Sequence, residues 1–231
     1  MRYESTRLVD DVVRAIEEEI LAGERRPGDR LTVIPLARRF GMSQSTIREA
    51  LLTLEQRGLV KTNPRRGFFV TRLSAEEAVE LCRMRALLEA YAVSVGLPAL
   101  PNSALAELHL HVAAMGTCVL PGDLSRLIQI DLEFHRIIAE MGGSATLIEG
   151  WSNFNGRIGA LIMRSVEANQ LLIKDVVLYH QEVVDALATR LPALGRRAII
   201  LHYLDDNQVN WPSVEAIEQT VPALTRVGAS A

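Results

Sequence analysis

Residues 36–51 have the sequence LARRFGMSQSTIREAL, and this stretch decides the fold of the N-terminal part of the chain. Gly41 separates two helical patterns, a short one over residues 35–40 and a longer one that runs from Ser43 to about residue 56. Ser43 or Ser45 can cap the longer helix, whose apolar positions recur at helical spacing. Two helices joined by so tight a turn are typical of a helix-turn-helix.

The flanking sequence extends this motif to its winged form. Residues 5–22 have the pattern of an amphipathic helix, which ends at Gly23. Residues 59–63 and 67–72 have the composition of short strands, and the segment PRRG at 64–67 joins them as a hairpin with two cations at its tip. The order helix, short helix, turn, helix and basic hairpin predicts a winged helix-turn-helix domain over residues 1–73.

From Ser74 onward the helical periodicity is almost unbroken. Ser74 and Glu77 form a capping-box pattern that begins the first helix of this part, and prolines or paired glycines separate the later ones. We therefore predict a mainly α protein, in which residues 74–213 form an antiparallel all-helical bundle and residues 214–231 form a tail. The predicted helices of the bundle span residues 74–95, 102–115, 123–141, 145–166, 169–190 and 193–206, and a last short helix is predicted over 214–224.

Composition narrows the class of protein. Of the 231 residues, 48% are hydrophobic and 23% are charged, which is ordinary for a soluble globular chain. No apolar run approaches the roughly 20 residues that cross a bilayer, and the N-terminus has no pattern of a signal peptide. Cys82 and Cys118 stand apart, as expected of free thiols in a reducing compartment. We expect a cytoplasmic protein with no membrane partner.

The charge is distributed unevenly along the chain. Residues 1–72 hold 14 Lys and Arg against 10 Asp and Glu, whereas the remainder holds 11 against 18. A basic N-terminal third followed by an acidic remainder fits a nucleic-acid-binding module attached to a larger domain that does not touch the polyanion.

A helix-turn-helix lays its second helix in the major groove, so we expect double-stranded DNA as a partner. Hydroxyl groups at the start of that helix can donate to phosphate, Gln44 can pair with adenine, and Arg48 can hold phosphate or guanine. The alternative is that these residues only cap and solubilise the helix. The predicted DNA-binding residues are Arg38, Arg39, Ser43, Gln44, Ser45, Thr46, Arg48, Arg65, Arg66 and Gly67.

Residues 36–51, with the segment PGDRL at 27–31 before them and GLV at 58–60 and PRRG at 64–67 after them, resemble the GntR family of regulators. This resemblance implies a transcription factor that binds DNA through a winged helix-turn-helix. The family usually has Arg where this chain has Gln44, so the usual half-site of the family is not expected here.

Four residues of the C-terminal part have the types and spacing of a metal site. Asp131 and His135 are four residues apart and so share one face of a helix, while His180 and His202 lie on two later helices. If the bundle brings the three helices together, one carboxylate and three imidazoles meet, a set that suits Zn²⁺ or a neighbouring transition metal. Spacing alone leaves open that Asp131 and His135 are an ordinary surface pair.

The segments VEL at 79–81, RALLE at 85–89 and DLEFH at 131–135, followed by His180 and His202, resemble the FCD effector domain of the FadR-like GntR subfamily. The resemblance implies that Asp131, His135, His180 and His202 ligate a divalent metal at the floor of a ligand pocket. Zinc is the first choice for the metal, with nickel and manganese as alternatives.

A metal with open positions beside a cation is a natural receiver for a small carboxylate. Arg85 stands at a position that the family uses for its pocket arginine, and its guanidinium can hold a carboxylate through two parallel hydrogen bonds. The alternative for Arg85 is an ion pair with Glu89, one helical turn further on. Arg157, near several aromatic residues in the sequence, is the second candidate anchor for the effector.

We interpret the chain as a homodimeric regulator, more specifically a repressor, which binds a pseudo-palindromic operator and responds to a carboxylate or sugar-acid metabolite bound at the metal. Two alternatives remain open. One is a GntR-type regulator without metal, in which the polar cluster is structural or the ligand is a large acyl thioester. The other is a metalloenzyme, which the absence of any expected acid or base beside the histidines disfavours, so we do not expect catalysis.

Overall fold

The computed structural model describes residues 2–21, 23–168 and 171–204. It confirms a mainly α protein with an N-terminal winged helix-turn-helix and a helical C-terminal part. The predicted helix at 214–224, the tail and the first two residues of the helix predicted at 169–190 lie outside the described residues. The elements are α1 (Arg2–Leu21), β1 (Arg30–Leu31), α2 (Val33–Phe40), α3 (Gln44–Gln56), β2 (Val60–Asn63), β3 (Gly67–Val70), α4 (Ala75–Gly96), a 3-10 turn (Leu97–Ala99), α5 (Asn102–Met115), α6 (Leu124–Glu140), α7 (Ala145–Ser152), α8 (Asn155–Glu167), α9 (Ile173–Ala188) and α10 (Pro192–Leu204).

We call α1–α3 and β1–β3 the reading head. Ser43 caps α3 by accepting a hydrogen bond at its Oγ from the Thr46 N–H, at 3.1 Å. Gly41 ends α2 with a φ of 64°, a left-handed conformation that glycine adopts without steric cost. The fully buried face of α3, which includes Ile47 and Leu51, packs against α1. These local signals and this apolar face are those from which the helices were predicted.

The sheet of the reading head has one strand more than the predicted hairpin. β1 pairs antiparallel with β3, which lies between β1 and β2, and Arg30 stands opposite Phe69. A strand of two residues is too short to show an alternating pattern in the sequence. The wing formed by β2 and β3 is tied to α3, because the Glu55 carboxylate accepts hydrogen bonds from the N–H and the hydroxyl of Thr62, at 2.7 and 2.8 Å.

The bundle begins at α4, and its capping box is complete. The Glu77 N–H donates to Ser74 Oγ at 3.1 Å, and the Ser74 N–H donates to Glu77 Oε2 at 2.9 Å. α4 packs against α10 and α6, and its neighbours α7 and α8 cover another part of its surface. The core between these helices includes Phe134 and Ile199, both fully buried. α4 is therefore in contact with most of the helices that carry the predicted effector site.

The single helix predicted over residues 145–166 is wrong. The structure has α7 and α8 in its place, separated by a turn at residues 153–154. The periodicity does not reveal this break because buried apolar positions continue at helical spacing across it, with Trp151 and Ile158 seven residues apart. The turn places the first residues of α8 beside the reading head.

The reading head and the bundle share a continuous apolar cluster. Leu124 and Ile128 of α6 and Met163 of α8 are buried in the same cluster as residues of α1 and α3. Among the described residues no helix is both long and apolar enough to span a lipid bilayer. The two parts are thus packed together rather than joined only through the chain.

Candidate functional site

Three helices bring the four predicted metal ligands together. Asp131 and His135 lie on α6, His180 on α9 and His202 on α10. One ring nitrogen from each of the three histidines lies within 4.8 Å of the others. Asp131 Oδ1 is 3.1 Å from His180 Nε2 and 3.9 Å from His135 Nε2. The convergence on which the metal prediction depended is therefore present.

The outer nitrogens of two imidazoles are held by oxygen atoms. His180 Nδ1 lies 2.7 Å from the Val176 carbonyl oxygen, and His135 Nδ1 lies 2.8 Å from Glu89 Oε2. Because carbonyl and carboxylate oxygens only accept hydrogen bonds, each Nδ1 donates to its partner, and this turns both Nε2 atoms toward Asp131. Such partners are typical of metal-binding histidines, which orient their rings in this way.

The third imidazole, His202, is half-buried. Its Nδ1 atom is buried and has no hydrogen-bond partner among the described residues that meets the usual geometry. Burial, and then the neighbouring rings of His180 and His135, hold the pKa of His202 well below its ordinary value, so the ring is neutral. A neutral imidazole of this kind is suited to bind a metal. The same residue borders a cavity of about 270 Å³ between α9 and α10, which opens toward solvent.

The carboxylate of Asp131 is ionised. Burial alone would raise its pKa, but the hydrogen bond with His180 and the electrostatic interaction with the neighbouring imidazoles lower it below the usual value of an aspartate. A buried carboxylate surrounded by imidazole nitrogens is stable only with protons or a cation between them. These four donors, one carboxylate and three imidazoles, thus fit a divalent transition metal.

Arg85 lies inside α4 and is completely buried. Its Nε is 3.2 Å from Glu89 Oε1, its Nη1 donates to Asn155 Oδ1 at 2.8 Å, and its guanidinium stacks 4.0 Å from the Trp151 ring centre. Burial would lower the pKa of Arg85, but Tyr203 and Glu89 raise it, so the group stays charged. The predicted alternative, an ion pair with Glu89, is present. However, Nη2 of Arg85 is buried and unpartnered among the described residues.

Glu89 belongs to the site, although the sequence analysis considered it only as an ion-pair partner of Arg85. Its carboxylate accepts from Trp151 Nε1 at 2.8 Å and from the Tyr203 hydroxyl at 2.7 Å, in addition to its contacts with Arg85 and His135. The expectation of no acid beside the histidines was therefore wrong. Burial would raise the pKa of Glu89, but His135 and Arg85 lower it, so a fully bonded carboxylate remains rather than a free acid or base.

Arg157 does not join this network. Its side chain lies against Gly58 of the reading head and its guanidinium is 5.2 Å from the Phe154 ring centre. The charge of Arg157 also helps to lower the pKa of Glu77. The physical reason is helical geometry, because residue 157 lies about 200° around α8 from Asn155, the residue that reaches Arg85. Arg157 thus lies where the reading head meets α8, and its role as an effector anchor stays a prediction.

Most of the predicted DNA-binding residues are exposed on the reading head. The hydroxyl of Ser43 contacts those of Ser45 and Thr46 at 2.7 and 2.8 Å, while the side chains of Gln44 and Arg48 are exposed. The arginines before and after α3, at positions 38, 39, 65 and 66, are also exposed, and Gly67 has a φ of 95° at the start of β3.

One of these arginines has a partner within the reading head. Arg39 forms an ion pair with Glu19, whose carboxylate also meets Arg25 Nε at 2.5 Å. The hydrogen bond with Glu19 raises the pKa of Arg39. The charge of Arg39 is thus partly balanced, whereas no ion pair is recorded within the described residues for Arg65 or Arg66.

Comparison with known proteins finds a matching family model for each of the two parts of the chain. Residues 80–205, more than half of the chain, match the model of the FCD domain, and residues 8–70 match that of the bacterial regulatory proteins of the gntR family. The chain is 30% identical over 126 residues to YdhC, an uncharacterized helix-turn-helix-type transcriptional regulator of Bacillus subtilis (strain 168). That match covers 54% of this chain and 56% of the relative, little more than half of its length.

Two further similarities extend over most of the chain. A probable D-xylose utilization operon transcriptional repressor of Paenarthrobacter nicotinovorans is 25% identical over 201 residues, which cover 87% of this chain and 88% of the relative. The solved structure of Escherichia coli McbR/YncC has a TM-score of 0.70 at 23% identity, and the match covers 92% of this chain and 98% of that one, so it shows the same fold. The chain therefore belongs to the GntR family of bacterial regulatory proteins, in the group that carries an FCD domain, and is a transcriptional regulator.

Proposed function

We propose that the chain is a cytoplasmic, homodimeric repressor that binds a pseudo-palindromic operator in double-stranded DNA. In this proposal residues 1–73 bind the operator and residues 74–213 bind an effector. The support is the exposed set of hydroxyls, Gln44 and arginines at the start of α3 and on the wing. In a dimer the two copies of α3 lie one turn of DNA apart, about 34 Å, in successive major grooves.

Operator binding is tested by selecting duplexes from a random pool with the full chain. The selected sequence should contain two related half-sites, and a scrambled duplex of the same composition should bind at least about 1000-fold more weakly. Gln44→Ala should relax the preference at one base pair per half-site, by about 1–3 kcal/mol. Equal affinity for the selected and scrambled duplexes would contradict the proposal.

We further propose that Asp131, His135, His180 and His202 hold one divalent transition metal, with zinc as the first choice. The support is the meeting of three imidazoles and an ionised carboxylate, together with a buried Nδ1 on His202 for which the described part of the chain shows no hydrogen-bond partner. A metal held there would act as a Lewis acid toward a carboxylate oxygen, provided that it takes a further ligand beyond the four protein donors. The protein's own contribution is to hold the rings through Glu89 and the Val176 carbonyl.

The effector in this proposal is a small carboxylate or sugar acid, and the observation that carries it is Nη2 of Arg85. This atom of the charged guanidinium is buried and has no hydrogen-bond partner within residues 2–21, 23–168 and 171–204, and it belongs to the network that reaches His135 through Glu89. A buried unpartnered N–H of a cation is costly, and an anionic oxygen satisfies it. Effector and operator binding are then linked, each altering the affinity for the other by the same factor.

The metal and the effector are tested together. Elemental analysis of untagged protein, purified without chelator, should give about one metal per chain. His180→Ala should abolish this content, whereas His109→Ala removes an exposed histidine of α5 and should leave it unchanged. A thermal-shift screen of carboxylates and sugar acids should give a hit that disappears with chelator and with Arg85→Lys. A hit that survives both changes favours the regulator without metal.

A further inference from the structure

Three successive residues at the start of α8 connect the effector anchor to the reading head. Asn155 accepts a hydrogen bond from Arg85 Nη1 at 2.8 Å, so its amide is held by the side chain that the proposed effector would contact. The guanidinium is fully buried, and its other contacts are with Glu89, Trp151 and Tyr203. Asn155 is the contact of Arg85 that lies on α8.

The next two residues touch the reading head. A Cβ atom on Gly156 would stand 2.1 Å from the Arg57 carbonyl oxygen and 2.9 Å from Leu59 Cγ, so the two backbones are in direct contact at this glycine. A Cβ atom on Gly58 would stand 3.0 Å from Cγ of Arg157. Residues 156 and 157 on the first turn of α8 therefore pack directly against residues 57–59.

Residues 57–59 are the link between α3 and the wing. The Gly58 and Leu59 N–H groups donate to the carbonyl oxygens of Glu55 and Leu54 at the end of α3, at 2.9 and 3.0 Å. The Gly58 carbonyl oxygen accepts from the Thr71 hydroxyl at 2.7 Å, just after β3. A displacement of this link therefore acts at once on the recognition helix and on the wing, the two elements that carry the predicted DNA contacts.

We infer that Asn155 is a positioning residue that couples Arg85 to the reading head. When Arg85 moves to meet an anion, its hydrogen bond to Asn155 pulls on the first turn of α8. Through Gly156 and Arg157 this turn shifts the link at residues 57–59. The inference rests on the proposed function for its ligand, but the mechanical connection can be measured without any effector.

The test is a double-mutant cycle in the full chain. Arg85→Lys keeps the positive charge but removes the forked guanidinium group, which reaches Glu89 and Asn155 at the same time. We expect Arg85→Lys to change the dissociation constant for the selected duplex by about 10-fold, within the usual range of coupling between sites. It should also change the hydrogen exchange of the Gly58 and Leu59 amides. In the Asn155→Ala background, Arg85→Lys should change the dissociation constant and the hydrogen-exchange rates by less than about 2-fold.

Two control variants separate coupling from simple structural damage. Asn155→Asp keeps an acceptor oxygen for Arg85 and should restore the response, whereas Asn153→Ala removes an exposed amide two residues earlier and should leave it unchanged. Tyr203→Phe removes the hydroxyl that Arg85 Nε meets at 3.3 Å and that donates to Glu89 at 2.7 Å, and it repeats the cycle with a milder change if Arg85→Lys does not fold.

Equal responses to the Arg85 substitution with and without Asn155 overturn the inference, and so does the absence of any response in the otherwise unchanged chain. Metal content is measured in every variant. Loss of metal from the parent chain would count against the proposed function alone, because the cycle itself uses neither metal nor effector. An intact metal site with an additive cycle would count against Asn155 alone.

Discussion

The contact of Gly156 with the reading head makes a quantitative prediction for Gly156→Ala. The new methyl carbon would lie 2.1 Å from the Arg57 carbonyl oxygen, whereas carbon and oxygen in van der Waals contact are more than 3 Å apart. The atom on the other side is backbone, so no rotamer change relieves the overlap, and α8 and residues 57–59 must separate. Overpacking of this kind costs about 1–3 kcal/mol, of which the better helix propensity of alanine offsets at most about 1 kcal/mol.

The matched control is Gly150→Ala in α7. A Cβ atom at this position meets nothing within 4 Å, so only the propensity remains, and we expect a gain in stability of about 0.5–1 kcal/mol. The free energy of unfolding is measured for both variants by urea titration, together with their affinity for the selected duplex. If Gly156→Ala is as stable as Gly150→Ala and binds the duplex like the parent chain, the close contact between α8 and the reading head is not present in solution.

Four other substitutions test further contacts. Burial would raise the pKa of Glu19, but its hydrogen bonds with two arginines lower it. The contribution of Glu19 to the free energy of unfolding is therefore complete above the ordinary carboxyl pKa of 4.5, and it is lost as the pH falls through the lowered pKa. Glu19→Gln should therefore cost about 1–3 kcal/mol in thermal or urea unfolding at pH 7 and less at pH 3, and an equal cost at both values would contradict this sign. Arg65→Ala and Arg66→Ala should each reduce the slope of log affinity against log salt by about 1 if the side chain meets a phosphate, whereas Arg126→Ala, which removes the same charge from the exposed surface of α6, should not. Glu89→Gln should raise the dissociation constant for zinc about 10–100-fold in a competition with a chelating dye, and an unchanged constant would show that Glu89 does not support His135 as a ligand.

Local features of the reading head were predictable because their causes are local. The Ser43 cap, the left-handed Gly41 and the apolar face of α3 each depend on residues within one or two turns of one another. The strand β1 was not predictable in this way. It has two residues, and its only reason to be extended is its pairing with β3, about 40 residues further along the chain.

The same distinction between local and tertiary causes applies to the candidate site. The i, i+4 spacing of Asp131 and His135 and the presence of His180 and His202 on later helices follow from helical periodicity alone. That the three helices bring these groups within a few ångströms depends on how α6, α9 and α10 pack, which periodicity does not specify. The network around Glu89 is of the same kind, because its partners Trp151 and Tyr203 lie 62 and 114 residues away in the chain.

By itself, therefore, the sequence determined which helices form in the reading head and where most of the helices begin and end, because helix periods and caps act over a few residues. It also determined which residue types are available to bind DNA and metal. Only the tertiary structure decided that α7 and α8 are separate helices, that Arg85 is shared between Glu89 and Asn155, and that Arg157 lies against the reading head. These outcomes depend on contacts between elements far apart in the chain, and such contacts are set by packing between whole helices rather than by the pattern along any one of them.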